Sequence, residues 1–113
     1  MGRISTHVLD TAAGRPAAGL KVVLRRLDGT VVAETITNAD GRTDKPLLEG
    51  AALVAGEYEI TFHVGDYFRA SGVKLSDPPF LDTVPVRFGI GKDAHYHVPL
   101  LVSPFAYSTY RGS

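Results

Sequence analysis

The sequence predicts an all-β fold, an antiparallel sandwich of seven or eight short strands. Three observations carry this. Several segments alternate apolar and polar residues with a period of two, the mark of a strand with one buried face. Twelve glycines and seven prolines punctuate the 113 residues into short pieces. Only one segment has helical character.

The first strand is expected over residues 4–10, and Gly14 and Pro16 break the chain after it. A second strand over 20–27 and a third over 30–37 flank Asp28-Gly29, the strongest short hairpin signal in the chain. Residues 38–42, Asn-Ala-Asp-Gly-Arg, form a turn-rich loop, and a short strand is expected over 51–54. Alternation is clearest over 57–64, where Tyr58, Ile60, Phe62 and Val64 face one way. Residues 65–72 hold two turns of helix, with Asp66 as N-cap and Gly72 at the stop. Val84, Val86, Phe88 and Ile90 alternate again, and Gly91-Lys92-Asp93 turns the chain. The next strand spans 95–102, where Pro99 marks an edge or a bulge. Ser103-Pro104 breaks it, and the last strand runs over 105–111.

The length suits one domain, residues 1–113. Cysteine is absent, which excludes disulfides, thiolate metal sites and a thiol nucleophile. Twelve basic residues balance twelve acidic ones, which speaks against nucleic acid as a partner. No apolar run approaches the ~20 residues of a membrane span, and the first residues lack the apolar stretch of a signal peptide. A soluble, cytoplasmic protein is therefore expected.

Chemistry could reside in His7, in Arg42, in His95-Tyr96-His97, or in the polar residues 108–113. On a strand, His95 and His97 share a face, which makes them a metal pair or a proton-transfer site. The plainer readings are surface histidines, His63 included, a solvated loop cation and a frayed end. A zinc site built on His7, His95 and His97 lacks a carboxylate at motif spacing. A serine triad lacks its Gly-x-Ser-x-Gly elbow, and Gly89-Ile90-Gly91 is not followed by a helix that would cradle phosphate. From the residues alone, the task of the sandwich stays open.

Three stretches taken together resemble a known family: Ile4-Ser5-Thr6-His7-Val8-Leu9-Asp10, Asn38-Ala39-Asp40-Gly41-Arg42, and His95-Tyr96-His97-Val98-Pro99-Leu100-Leu101 leading to Ser103-Pro104-Phe105-Ala106-Tyr107-Ser108-Thr109-Tyr110-Arg111-Gly112-Ser113. They are similar to the 5-hydroxyisourate hydrolases of the transthyretin-like protein family, over essentially the whole chain. The terminal Tyr-Arg-Gly-Ser is the most specific piece and separates the hydrolases from transthyretin itself. Departures are small: Phe105 and Ala106 stand where relatives commonly have Tyr and then Gly or Ser, and Thr43 where many have Cys.

The resemblance implies two four-stranded sheets with one short helix. It also implies a homotetramer, a dimer of dimers, with sites at the dimer–dimer interface. The implied reaction is hydrolytic opening of 5-hydroxyisourate at its N1–C6 amide bond, giving 2-oxo-4-hydroxy-4-carboxy-5-ureidoimidazoline, a step of urate degradation. By the same resemblance His7, Arg42, His97 and Ser113 are catalytic; His7, Arg42 and Tyr110 bind substrate; no cofactor or metal is needed. Gly112 is expected to give the tail a sharp bend, and Arg111 to anchor it on carboxylate or carbonyl partners. A second argument for the tetramer is the apolar set Tyr96, Val98, Leu100, Val102 and Tyr107, more than a monomer need expose. The competing readings are a small-molecule carrier and a structural module.

Overall fold

The structure, a computed structural model, describes residues 2–112. Its strands are β1 (Arg3–Asp10), β2 (Arg15–Pro16), β3 (Lys21–Arg26), β4 (Val31–Ile36), β5 (Leu48–Glu49), β6 (Gly56–Phe62), β7 (Val84–Ile90), β8 (His95–Val102) and β9 (Tyr107–Thr109). One helix, α1 (Val64–Ala70), follows β6. The strands form two sheets: β4-β3-β6-β7, and β2-β1-β8-β9 with β5 added beside β1. Among the described residues no helix is long and apolar enough to cross a membrane.

The alternation seen in the sequence builds the interior. Ile4 and Val8 of β1, Val22 and Leu24 of β3, Tyr58, Ile60 and Phe62 of β6, and Leu100 of β8 all point between the sheets and are fully buried. Phe68 of α1 closes one end of this core. Polar groups inside are satisfied. Asp10 accepts the Tyr67 hydroxyl at 2.8 Å and the backbone N–H groups of Ala12 and Ala13, which ties the helix to the turn after β1.

Several expectations need correction. Most neighbouring strands are antiparallel, but β1 and β8 run parallel over eight paired residues, from Arg3↔His95 to Asp10↔Val102. Residues 51–54 are not a strand: β5 comes earlier and passes into a 3₁₀ turn, Gly50–Ala52. The helix begins at Val64 with His63 as N-cap, so Asp66 lies in its first turn and caps nothing. Its stop is as expected, since the N–H of Gly72 reaches the Arg69 carbonyl and that of Val73 the Phe68 carbonyl. The last strand is shorter than expected, β9 alone.

Pro99 is at neither an edge nor a bulge. It lies in β8 between β1 and β9, with its carbonyl taken by Thr109 Oγ1 at 2.7 Å. It has no N–H to give, and the β8–β9 ladder lapses beyond Thr109 before a single bridge re-forms between His97 and Gly112. The apolar set offered for the tetramer is also reassigned. Tyr96, Val98, Leu100 and Val102 belong to the core, and of that set only Tyr107 is exposed.

Candidate active site

Alternation sends Arg3, Ser5 and His7 to the outer face of β1, and His95 and His97 to the outer face of β8. The parallel register then sets Ser5 beside His97, and Arg3 beside His95. Residues more than ninety positions apart thus meet because two short strands each place polar residues on every second position.

The 38–42 loop is folded onto this face. The Asn38 side chain accepts from the N–H groups of Asp40 (2.9 Å) and Arg42 (3.2 Å), and the Gly41 carbonyl accepts from Val8 N–H at 2.8 Å. Gly41 has φ of +75°, and a Cβ there would strike the Val8 carbonyl oxygen, so glycine alone lets the loop lie this close. The result is a bridge between His7 and Arg42. His7 Nε2 lies 2.8 Å from the Asp40 carbonyl. A carbonyl only accepts, so Nε2 carries the hydrogen, and Nδ1 is the nitrogen left for chemistry.

The chain end arrives on the other side of His97. Arg111 stacks its guanidinium 4.4 Å from the Tyr96 ring and reaches the His95 carbonyl at 3.4 Å, so its anchors are a ring and a carbonyl. Gly112 N–H then donates to the His97 carbonyl at 2.8 Å. A Cβ on Gly112 would lie 2.5 Å from His97 Cδ2. Its backbone is not left-handed; what glycine provides here is close approach to the imidazole rather than the expected bend.

His97 is half-buried, with Nδ1 at 2.8 Å from Ser5 Oγ. His95, more exposed, places Nε2 at 2.8 Å from the same oxygen. Beside them opens a shallow cavity of ≈ 430 Å³, lined among others by Arg3, Arg42, Lys45, Ser5, His95 and His97. Burial holds the His97 imidazole below its ordinary value of 6.5, and the charges of Arg42, His95 and His7 push it the same way. His97 is thus neutral at neutral pH, a ready proton acceptor, in a setting of positive charge that suits an anionic, planar ligand.

Of the residues expected to form a site, His7, Arg42 and His97 come together on this face. Tyr110 does not join them; its ring lines a separate cavity of ≈ 290 Å³ with Val86, Phe88 and Tyr96. Ser113 lies outside the described residues. Among the described residues no three His, Asp or Glu side chains gather as metal ligands do, and each of the three histidines of the zinc reading has a nitrogen committed to a protein oxygen. Sequence reasoning misses Ser5. The available signal is its place two residues before His7, on the same strand face.

Comparison with known proteins extends this picture. A family model described as the HIUase/Transthyretin family matches residues 4–112. A relative from Rhizobium meliloti (strain 1021), named 5-hydroxyisourate hydrolase 2, is 62% identical, over 99% of this chain and 97% of its own. A crystal structure of (S)-allantoin synthase superposes with a TM-score of 0.95 at 50% identity, over 99% of this chain, which spans 44% of that one. The structure of Klebsiella pneumoniae 5-hydroxyisourate hydrolase gives a TM-score of 0.86 at 38% identity, over 100% of both chains.

Proposed function

The chain belongs to the HIUase/Transthyretin family, and from that premise we propose that it is a hydrolase that opens 5-hydroxyisourate in urate degradation. The observation that carries the reading is the placing of His7, Arg42 and His97 on one face, where Arg42 and His97 line a cavity of mostly positive character, with Gly112 laid against the His97 ring. A carrier or a structural module needs no such grouping of two imidazoles with complementary available nitrogens.

In the proposed reaction, water adds to C6 of the substrate while one imidazole takes its proton. The C6 oxygen becomes an oxyanion, and the Arg42 guanidinium, with its fixed charge and planar donors, stabilises it. The C6–N1 bond then breaks, N1 takes a proton from the second imidazole, and the carboxylic acid left at C6 gives its own proton back to that imidazole as it becomes a carboxylate. The product is 2-oxo-4-hydroxy-4-carboxy-5-ureidoimidazoline. Because His97 is held neutral, we assign it as the base through Nε2, and His7, when it carries a proton on Nδ1 as well as on Nε2, as the acid through Nδ1. Ser113 is proposed to hydrogen-bond the water or an imidazole, and Tyr110 to contact substrate. No step calls for a metal or cofactor.

The same reading makes the protein a homotetramer, a dimer of dimers, with the sites in a central channel at the dimer–dimer interface. It is supported by the openness of the cavity in one chain and by Phe105 and Tyr110, 75% and 60% exposed near the chain end. Freshly generated 5-hydroxyisourate, followed in the ultraviolet with and without the protein, tests the activity. An unchanged decay rate overturns it. A light-scattering mass of one chain at micromolar concentration overturns the tetramer.

A further inference from the structure

Ser5 Oγ stands 2.8 Å from His97 Nδ1 and 2.8 Å from His95 Nε2. A hydroxyl has one hydrogen to donate and two lone pairs to accept with, so at most one ring receives from it and at least one ring donates to it. In the arrangement where it gives to one ring and accepts from the other, the two imidazoles are tied through it. We propose that His95 and Ser5 are positioning residues that form, with His97, a proton relay from the half-buried His97 to the exposed His95 at the start of β8. This rests on the hydrolase reading and assigns a role to two residues it leaves idle.

The balance of the relay is simple. At the start His97 Nδ1–H donates to Ser5, whose hydroxyl donates to His95 Nε2, and His97 Nε2 bears a lone pair. When Nε2 takes a proton from water, the Nδ1 proton passes to Ser5 Oγ and the Ser5 proton passes to His95 Nε2. His97 ends neutral with its hydrogen on Nε2, and the positive charge sits on His95. No bond to carbon changes and no net charge is created. Direction follows from surroundings: His97 is the more buried ring, whereas His95 is exposed and can pass the proton to solvent. Charged groups around the relay are Arg3, Arg42, Lys45 and His7, with Asp44 also lining the cavity and Arg111 at the His95 carbonyl. They make it unfavourable to hold a cation on the buried ring.

The experiment compares the parent with Ser5→Ala, Ser5→Thr and His95→Gln. Rates of 5-hydroxyisourate opening are measured from pH 5.5 to 9, and the histidines are titrated by NMR. Ser5→Ala is expected to lower kcat roughly tenfold or more with KM within about twofold, and Ser5→Thr to recover most of the rate, because it restores the hydroxyl. His95→Gln keeps a hydrogen-bonding partner for Ser5 but cannot carry the proton, so kcat falls similarly and the acid limb of its profile shifts up. In the NMR titration His97 should respond to His95 protonation in the parent and lose that response in Ser5→Ala. Parent kcat and an unmoved acid limb in His95→Gln, or equal losses in Ser5→Ala and Ser5→Thr, overturn the relay. The NMR arm reads the coupling without turnover. A parent that fails to open the substrate overturns the hydrolase reading, while absence of coupling in a working enzyme overturns only the relay.

Discussion

On the outer face of the four-stranded sheet, Lys21 meets Glu34 at 3.5 Å and Arg87 meets Glu59 at 3.5 Å, each pair on neighbouring strands. Arg25 likewise reaches the Thr61 hydroxyl. On the outer face of the other sheet, Arg3, Arg42, His95 and His97 stand together, and among the described residues none of them has a carboxylate within ion-pair distance. The same alternation of buried and exposed residues built both faces. What differs is cancellation. Where opposite charges sit across strands, the surface is electrostatically complete and contributes a little stability. Where one sign accumulates around half-buried imidazoles, the surface is left to be completed by a ligand.

That contrast can be broken most sharply at the imidazoles. His7→Ala and His97→Ala are each expected to cut turnover of 5-hydroxyisourate by roughly a hundredfold or more, the range for a positioned acid or base, with circular dichroism unchanged. Parent-like rates in either would return that residue to plain surface.

Next in size is Gly112→Ala. Its new Cβ meets the His97 ring, so either the tail or the imidazole must move. Turnover should fall by about tenfold to a hundredfold, since misplacement of a reacting group is costly, while the melting temperature changes little. A full rate would mean that the tail does not set the ring.

Arg42→Gln sharpens the electrostatic half of the comparison. In the parent, the acid limb of kcat/KM should lie below 6.5, because His97 is held below that value by burial and by Arg42. Removing the cation should move the limb up towards 6.5 and lower the rate. The same depression has a stability consequence of fixed sign. His97 contributes stability above about 6.5 that is lost as pH falls through its folded-state value, so urea midpoints should drop on acidification, and less so in His97→Asn. A limb that stays in place in Arg42→Gln would remove Arg42 from the field at His97.

The smallest effects belong to the completed face. Arg87→Ala should cost under about 1 kcal/mol in urea unfolding and leave turnover untouched, as should His63→Ala at the helix N-cap. A large loss of turnover from either would mean that the faces are not separate in function.

The sequence makes one kind of information legible and withholds another. Alternation over 57–64, 84–90 and 95–102 names the strands, although the first of them ends at Phe62 and Val64 opens α1, and it puts His95 with His97 on local pattern alone. Pairing is different, because nothing local in residues 3–10 says that they will lie parallel to 95–102, so a sandwich expected to be antiparallel hides the contact that makes the site. Pro99 misleads for the same reason: its missing N–H suggests an edge, while the lapse it faces is in the ladder to the chain end. Ser5 is invisible as a lone serine, since only the register beside His97 gives its hydroxyl a meaning. His7, Arg42 and His97 are legible through the family resemblance, whereas the placing of Tyr110 in a second cavity depends on how the chain end packs against β7 and β8.

The parallel pairing of β1 with β8 also sets an order of events during biosynthesis. Ser5 and His97 lie 92 positions apart, so β1 leaves the ribosome long before its partner exists. At translation rates of about 5–20 residues per second, that wait is on the order of 5–20 s. Within it, β3, β4, β6 and β7 all emerge, and the four-stranded sheet can assemble on the nascent chain. The histidine face is therefore among the last parts of the molecule to be completed, and a chain arrested before β8 carries β1 and the 38–42 loop without the strand that sets His95 and His97 beside them.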